Sequence, residues 1–545
     1  MTVGGDPSAR TIEQAGPAAP DVTAAAAELM AGLAATPWGQ VSPSVYETGR
    51  LVALAPWLVG HTRRLGFLLA AQRPDGGWGG PGGYAVVPTL SATDALLAEL
   101  RRSGDDHGRT DLARAADRGL AALSRLADEL DGRTMPDMPA ADLIAAALVE
   151  SIDRALAGPV PGVAGGPAGG RPRTPRGLDG TKRLSAVRAL LSVGAAPPEK
   201  LLHALEAVGG DARGVPAARP GPTGIVGASP AATAAWLGGE APVPEDPARR
   251  FLEMVVEQHG GPVPCGLPIT VFERAWVITT LVRAGIGVTV PPTVLSSLRQ
   301  ALDPVGTPAG EGLPADADTT AGALYALGLL GLPFGLDGLE PYRMEKHFCT
   351  WQGEDGFSVS TNAHVLEAFG QYLVRHPDSP PRIAEVVPGL AALVRDHQRA
   401  DGSWHDRWHA SPYYATACCV LALGRFGGDR ARATVRRAVR WLLATQRADG
   451  SWGRWEGTAE ETAYATQVLL LVGPGDGACR AAAARGYAYL VRTGDSGGDG
   501  PALWHDKDLY RPTAIVRAAV LAAVRLARRD PGVMALVRED TAIGG

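Results

Sequence analysis

One seven-residue pattern occurs three times, and it limits the fold more than any other feature of the chain. The copies are Gln72-Arg73-Pro74-Asp75-Gly76-Gly77-Trp78, Gln398-Arg399-Ala400-Asp401-Gly402-Ser403-Trp404 and Gln446-Arg447-Ala448-Asp449-Gly450-Ser451-Trp452. Each follows an amphipathic run (65–70, 390–394 and 438–443), and the last two lead into further apolar helical runs (415–423 and 462–471). The pattern therefore reads as helix, tight Asp-Gly turn, helix. The glutamine can cap backbone groups, and the tryptophan can cover the adjacent helix end. A helical hairpin cannot bury its apolar face alone, so repeated hairpins must stack. The last two copies are 48 residues apart, which fits one hairpin pair per repeat. A closed ring of such pairs satisfies every hairpin, so the expected fold is all-α, built as α-barrels (α/α toroids).

The chain has 545 residues, enough for two cores, and copies of the pattern near both ends point to two related helical domains. Alanine, leucine and arginine favour helix, no segment alternates convincingly at period two, and no sheet is expected. A net charge of −5 gives no nucleic-acid footprint. The five cysteines contain no CxxC pair, which fits reduced thiols and a cytoplasmic protein. Residues 1–20 are polar and rich in Ala, Gly and Pro, and are expected to be disordered. No apolar run reaches the ~18 residues needed to span a membrane. Gly/Pro-rich breaks fall at 157–177, 209–223 and 303–314, and the third is the candidate domain boundary.

That third break leads into Asp316-Ala317-Asp318-Thr319-Thr320, followed by the apolar run 321–330. Asp and Thr at a helix start are ordinary caps. Two carboxylates this close can also share one proton, because like charges disfavour double ionisation. A neutral carboxylic acid in an apolar pocket is a Brønsted acid. The motif alone leaves both readings open.

The three repeats together with the Asp-x-Asp-Thr-Thr motif resemble the class II terpene cyclases, which start cyclisation by protonation. Further stretches are similar to the bacterial two-domain members: Pro37-Trp38-Gly39, Ser44-Val45-Tyr46, Ser229-Pro230-Ala231-Ala232-Thr233-Ala234, Phe272-Glu273-Arg274-Ala275-Trp276, Ser411-Pro412-Tyr413-Tyr414 and Lys507-Asp508-Leu509-Tyr510. The likeness spans about residues 37–520. The family's usual acid motif ends in Asp, where this chain has Thr319; drimenyl diphosphate synthases have a similar Asp-Thr-Thr ending. The resemblance implies a βγ arrangement of two α-barrels. Residues 1–47 would supply the N-terminus and the first helix of the C-terminal barrel, 48–299 an inserted γ barrel, and 300–545 the β barrel with the acid.

On that resemblance Asp318 is the general acid, Asp316 orients its proton, and Thr319 offers only a hydroxyl. Trp351, Phe357, Tyr413, Tyr414, Trp504 and Tyr510 are the expected cation-stabilising rings, with Trp404, Trp408 and Tyr464 also considered. Asn362 and His364 could hold a terminating water, and His409 and His505 are further candidates for the base. The diphosphate stays on the product, because the nearest text to an ionising Asp-Asp-x-x-Asp motif, Asp105-Asp106-His107-Gly108-Arg109, lacks the last carboxylate. Lys182, Arg183, Lys507 and Arg511 are candidate diphosphate ligands. Mg²⁺ is the expected cofactor, with Asp128, Glu129 and Asp131 as its candidate contacts.

The Asp-Thr-Thr ending favours farnesyl diphosphate, which would give drimenyl diphosphate; the alternative is geranylgeranyl diphosphate, giving a copalyl- or halimadienyl-type bicycle. A squalene–hopene-type triterpene cyclase would carry more repeats and a membrane-docking surface. A protein prenyltransferase subunit would need a zinc site from Asp, Cys and His. A non-catalytic toroid that binds a partner or lipid would have no use for the paired acids.

Overall fold

A computed structural model describes residues 21–543 except 103–107, 133, 164–171, 355 and 494–499. The disorder expected for residues 1–20 and the Asp105-Asp106-His107 text fall outside the described residues.

The repeats adopt one local structure three times. Gln72, Gln398 and Gln446 each donate through Nε2 to the motif glycine's carbonyl (Gly76, Gly402 and Gly450, 2.9 Å in each case). The same amide group reaches a carbonyl on the next outer helix: Ala115 at 2.9 Å, Thr434 at 3.0 Å and Ala482 at 2.8 Å. Each tryptophan is fully buried and donates through Nε1 to the last turn of the preceding helix, at Leu68, Val394 or Leu442. Its backbone N–H goes to a threonine hydroxyl on the next inner helix, Thr89, Thr416 or Thr462. The glutamine thus ties its turn to the outer helix that follows, while the tryptophan joins the outer helix before the turn to the inner helix after it. The turn needs glycine: Gly402 sits at φ +101, where a Cβ would lie 2.7 Å from the Arg437 carbonyl.

Two closed rings result. In the N-terminal barrel the inner elements are Val45–Leu54, Val86–Arg102, Ala141–Leu156, the kinked 3₁₀ segment Glu199–Ala212 and Pro230–Leu237, each packing on the next and the last on the first. In the C-terminal barrel six helices close in the order Thr270–Arg283, Ala317–Leu329, Val359–Arg375, Pro412–Phe426, Ala459–Val472 and Thr513–Arg529. These inner helices are buried nearly all round, so they carry little amphipathic signal of their own. The first helix, Val22–Ala35, packs on Thr513–Arg529 and shares the C-terminal core.

The boundary expected at 299/300 falls too late. Thr270–Arg283 contacts both Ala317–Leu329 and Thr513–Arg529 and so completes the C-terminal ring. Without it that ring would have an open edge. Essentially no sheet is present, as expected: among the described residues the ladders are the two-residue pairs Thr307–Pro308 with Ala315–Asp316 and Trp504–His505 with Leu509–Tyr510. Both lie at the candidate site.

The barrels are joined by a buried polar latch. Lys507 is fully buried and donates to Glu206 at 2.9 Å, Ser229 Oγ at 2.7 Å and the His203 carbonyl at 2.8 Å, and it also pairs with Glu47. Asp506 meets His203 Nε2 at 2.7 Å, and Asp508 accepts from Ser44 Oγ and the Tyr46 N–H. Burial would lower the lysine's pKa, but Glu206 and Glu47 raise it above its ordinary value, so the ammonium stays charged.

Candidate active site

Asp316 is the N-cap of Ala317–Leu329; its Oδ1 accepts the Thr319 N–H at 2.6 Å. The ladder to Thr307 and the bond from Thr320 Oγ1 to its carbonyl (2.5 Å) fix its backbone. Asp318 is the second residue of the helix, at the positive end of its macrodipole. Both readings of the motif therefore hold together: Asp316 caps, and the pair couples electrostatically. Burial first, and then the charge of Asp318, pushes Asp316 up to about 7. Asp316 accepts the helix N–H and no described bond runs from it to the Asp318 carboxyl, so it is not placed to orient that group directly.

His364 occupies that orienting position. Its Nδ1 lies 2.8 Å from Asp318 Oδ1, and the Asp318 side chain is 18% exposed. Burial would lower the imidazole's pKa, but Asp318 raises it well above its ordinary value, so the ring is an imidazolium facing the carboxyl group. His364 is thus a partner of the acid and not a terminating base. Asn362 is not a base either. It is fully buried, its Nδ2 donates to the Phe348 and Ser358 carbonyls, and its Oδ1 accepts the Phe348 N–H. It stitches the loop before Val359–Arg375 onto that helix.

Below this pair, a cavity opens in the pore of the C-terminal ring. Trp276, Tyr325, Tyr414 and Tyr464 give it aromatic walls, and the ion pair of Arg283 with Glu367 (2.8 Å) also lines it. Trp276 packs edge-on against His364 with centroids 5.0 Å apart, and its Nε1 donates to Tyr414 Oη at 3.0 Å. Trp504 lies against Tyr414 (4.5 Å), Phe272 (5.5 Å) and Tyr510 (6.4 Å), forming a second aromatic layer. Trp276 and Phe272 escaped the sequence reading because their helix was assigned to the other barrel.

Other expected rings lie elsewhere. Tyr413 packs outward on Trp441, with centroids 4.7 Å apart, because neighbouring helix residues point about 100° apart. Phe357 stacks on His397 at 4.2 Å. Trp404 is committed to the repeat turn through its bond to Val394. Trp351 meets Trp408 at 5.1 Å in the cleft between the barrels, with the Lys200 ammonium 5.5 Å from its ring. Here Lys200 pairs with Glu354, and Arg407 pairs with Asp137 at 3.0 Å, each pair crossing from one barrel to the other. Burial, then Arg183 and Arg407, lowers the Lys200 pKa, which places the three cations within reach of one another's fields. Lys200 and Arg407 have no local sequence signal, because only the packed barrels bring them together.

Of the expected diphosphate ligands, Arg183 joins this group while pairing with Asp142 at 3.0 Å. Lys182 is exposed on the outer helix Thr181–Ser192. Lys507 is sealed in the latch, and Arg511 is 2% exposed with its N–H on Ser42 Oγ. The carboxylates expected to contact Mg²⁺ do not converge: Asp128 pairs with Arg173 at 3.1 Å, Asp131 caps the turn to Thr134, and Glu129 is exposed. Among the described residues no group of three His, Cys, Asp or Glu could hold a metal ion. His505 is held by the Arg407 carbonyl (2.7 Å) and Tyr84 Oη (3.0 Å), and burial lowers its pKa to about 4.

The squalene-hopene cyclase C-terminal domain family matches residues 354–515. The ent-copalyl diphosphate synthase of Streptomyces sp. (strain KO-3988) is 43% identical over 93% of this chain and 96% of its own length. The labda-7,13-dienyl diphosphate synthase of Streptomyces clavuligerus is 41% identical over 94% and 95%. The solved ent-copalyl diphosphate synthase of Streptomyces platensis superposes with a TM-score of 0.87 at 46% identity, covering 93% of this chain and 99% of that one.

Proposed function

We propose that this chain, which belongs to the class II terpene cyclases, protonates the terminal alkene of geranylgeranyl diphosphate and closes it to a copalyl- or labdadienyl-type bicyclic diphosphate. One observation carries the reading: the Asp318–His364 pair at 2.8 Å stands over an aromatic cavity. The farnesyl expectation gives way to its alternative, because relatives similar over nearly their whole length are named for copalyl and labdadienyl diphosphates. Thr319 in place of the family's last Asp does not by itself favour the shorter substrate.

An isolated alkene is a very weak base, so its protonation needs a strong acid in a dry site. His364 occupies Oδ1 of Asp318, which leaves Oδ2 to carry the transferable proton. The alkene π pair takes that proton, and the carboxylate left behind is stabilised by the imidazolium and the helix N-terminus. The carbocation then passes along the chain as successive π bonds attack it. Trp276, Tyr414 and Tyr464 present ring faces or edges along the cavity wall; an aromatic face stabilises a desolvated cation by about 0.5–2 kcal/mol. The pre-folded cavity also supplies the orientation that ring closure requires. Asp316, held protonated near neutral pH by burial and Asp318, is the nearest store of a proton for the next cycle.

The diphosphate end belongs in the cleft between the barrels, where Lys200, Arg407 and Arg183 gather and where the buried Trp408 Nε1 has no hydrogen-bond partner. Among the described residues no cluster of His, Cys, Asp or Glu forms a centre for Mg²⁺. We assign any Mg²⁺ requirement to the substrate's own phosphates. The test incubates purified protein with geranylgeranyl and farnesyl diphosphate in parallel, with Mg²⁺, and compares products by mass spectrometry before and after phosphatase. A cyclised C20 alcohol released only by phosphatase supports the reading. A C15 product made far faster, or no cyclised product, overturns it.

A further inference from the structure

We propose that Tyr464 and Glu460 form the proton exit that ends the cyclisation, with Tyr464 relaying the proton and Glu460 receiving it. The inference rests on the reading of the chain as a cyclase of a linear prenyl diphosphate.

Protonation-initiated cyclisation leaves a cation that must lose a proton, and Asn362 and His364, expected to hold the terminating water, have other roles. The ring geometry indicates where to look. In the order given above, Ala317–Leu329 and Ala459–Val472 stand three places apart in a ring of six and so face each other across the pore. The outer helices Val386–Asp396 and Gly428–Thr445 return the chain between Val359–Arg375, Pro412–Phe426 and Ala459–Val472, and the Asp318–His364 contact sets the start of Ala317–Leu329 beside that of Val359–Arg375, so these four have their N-termini at one end. Asp318 and Glu460 are each the second residue of their helices. An acid and a buried carboxylate therefore stand on opposite sides of the same end of the cavity.

Glu460 has unusual surroundings for a buried anion. Its Oε1 accepts from Trp504 Nε1 at 2.8 Å, Tyr464 Oη at 3.1 Å and His409 Nε2 at 3.1 Å. His409 Nδ1 accepts the Ser411 N–H, so Nε2 carries the hydrogen and the imidazole can sit there neutral. Glu460 Oε2 is buried with no hydrogen-bond partner. Its pocket thus provides three donors to one oxygen, a helix N-terminus, and no lysine or arginine in ion-pair contact. A buried charge normally needs a counter-ion; here the transient substrate cation can supply it.

Tyr464 lies between the carboxylate and the cavity, lining the cavity with its ring while its hydroxyl points to Glu460. In the exit step a C–H bond next to the cationic carbon breaks, and its electron pair becomes the product's double bond. The proton passes to Tyr464 Oη as the tyrosine's own proton moves to Glu460. The charge is cancelled and no other reactant is needed. A structural role, in which Glu460 merely ties Trp504 and His409 to the helix start, predicts a different phenotype.

The experiment gives Tyr464→Phe and Glu460→Gln the same prenyl diphosphate that the unsubstituted protein cyclises, with Asp318→Asn as the control. Products are resolved after phosphatase treatment. We expect both variants to keep consuming substrate while the product shifts toward double-bond isomers or water-quenched hydroxylated bicycles, with the original alkene reduced at least tenfold relative to them. The original product in unchanged proportion from both variants, at whatever rate, overturns the proposal and leaves the cyclase reading intact. Failure of the unsubstituted protein to cyclise any prenyl diphosphate overturns that reading instead. Tyr464→Phe removes a single oxygen, so it decides the matter even if Glu460→Gln does not fold.

Discussion

His364 Nδ1 stands 2.8 Å from Asp318 Oδ1, and Trp276 closes over the imidazole edge-on with ring centroids 5.0 Å apart. The Asp318 carboxyl group, the His364 imidazole and an aromatic wall of the cavity are thus one contiguous unit. They come from three adjacent helices of one ring.

Asp318→Asn removes the transferable proton while keeping the shape, and His364→Gln keeps a polar side chain but removes the imidazolium. Turnover should fall by roughly 10²–10⁴-fold for the first, and by the lower part of that range for the second. Steady-state kcat measured on folded variants checks both.

Asp316 gives a pH dependence. Its folded pKa, about 7, lies well above the ordinary carboxylate range, because burial and Asp318 disfavour the charge. A raised carboxylate contributes stability below its unfolded pKa and loses it as pH rises through the folded one. Turnover should therefore decline as pH passes about 7, whereas Tm should fall as pH rises from the ordinary carboxylate range to about 7 and level off above it. Asp316→Asn still caps the helix but cannot ionise, so its Tm deficit relative to the unsubstituted protein should shrink, or reverse, between pH 5 and pH 8. Thermal melts across this range decide it.

Lys507→Met leaves Glu47 and Glu206 buried together without their shared cation. Breaking a buried pair in this way costs about 3–5 kcal/mol, far more than an exposed pair would. Urea unfolding should show that loss, whereas Lys182→Met on the outer surface should change stability by less than ~0.5 kcal/mol.

Gly402→Ala should destabilise by about 1–3 kcal/mol, since the left-handed backbone and the Arg437 carbonyl both oppose a Cβ. Gly66→Ala, in a helix where a Cβ meets nothing within 4 Å, should be neutral or stabilising. Paired denaturation curves distinguish the turn requirement from a general glycine effect.

The repeats were legible because each is a local turn with side chains that satisfy its own backbone, and three copies repeat the same bonds. The cap at Asp316 was legible for the same reason, since it needs only neighbours in sequence. Partnership across helices was not. His364 was noticed as a polar residue on an apolar helix, but its role depends on Asp318, 46 positions earlier. Lys507 and Lys200 are both lysines; only the packing shows that one is sealed in the latch and the other faces the cleft. Thr270–Arg283 is buried nearly all round, so no stripe marks which barrel it completes.

The central claim is that a proton from the protein starts the cyclisation and the diphosphate is kept. It is tested most directly by running the reaction in D₂O and analysing the product by mass spectrometry with and without phosphatase. The account predicts a C20 bicyclic diphosphate carrying one deuterium, on a carbon of the former terminal alkene, and none formed by Asp318→Asn. A product without solvent deuterium, or one that has already lost its diphosphate, would contradict it.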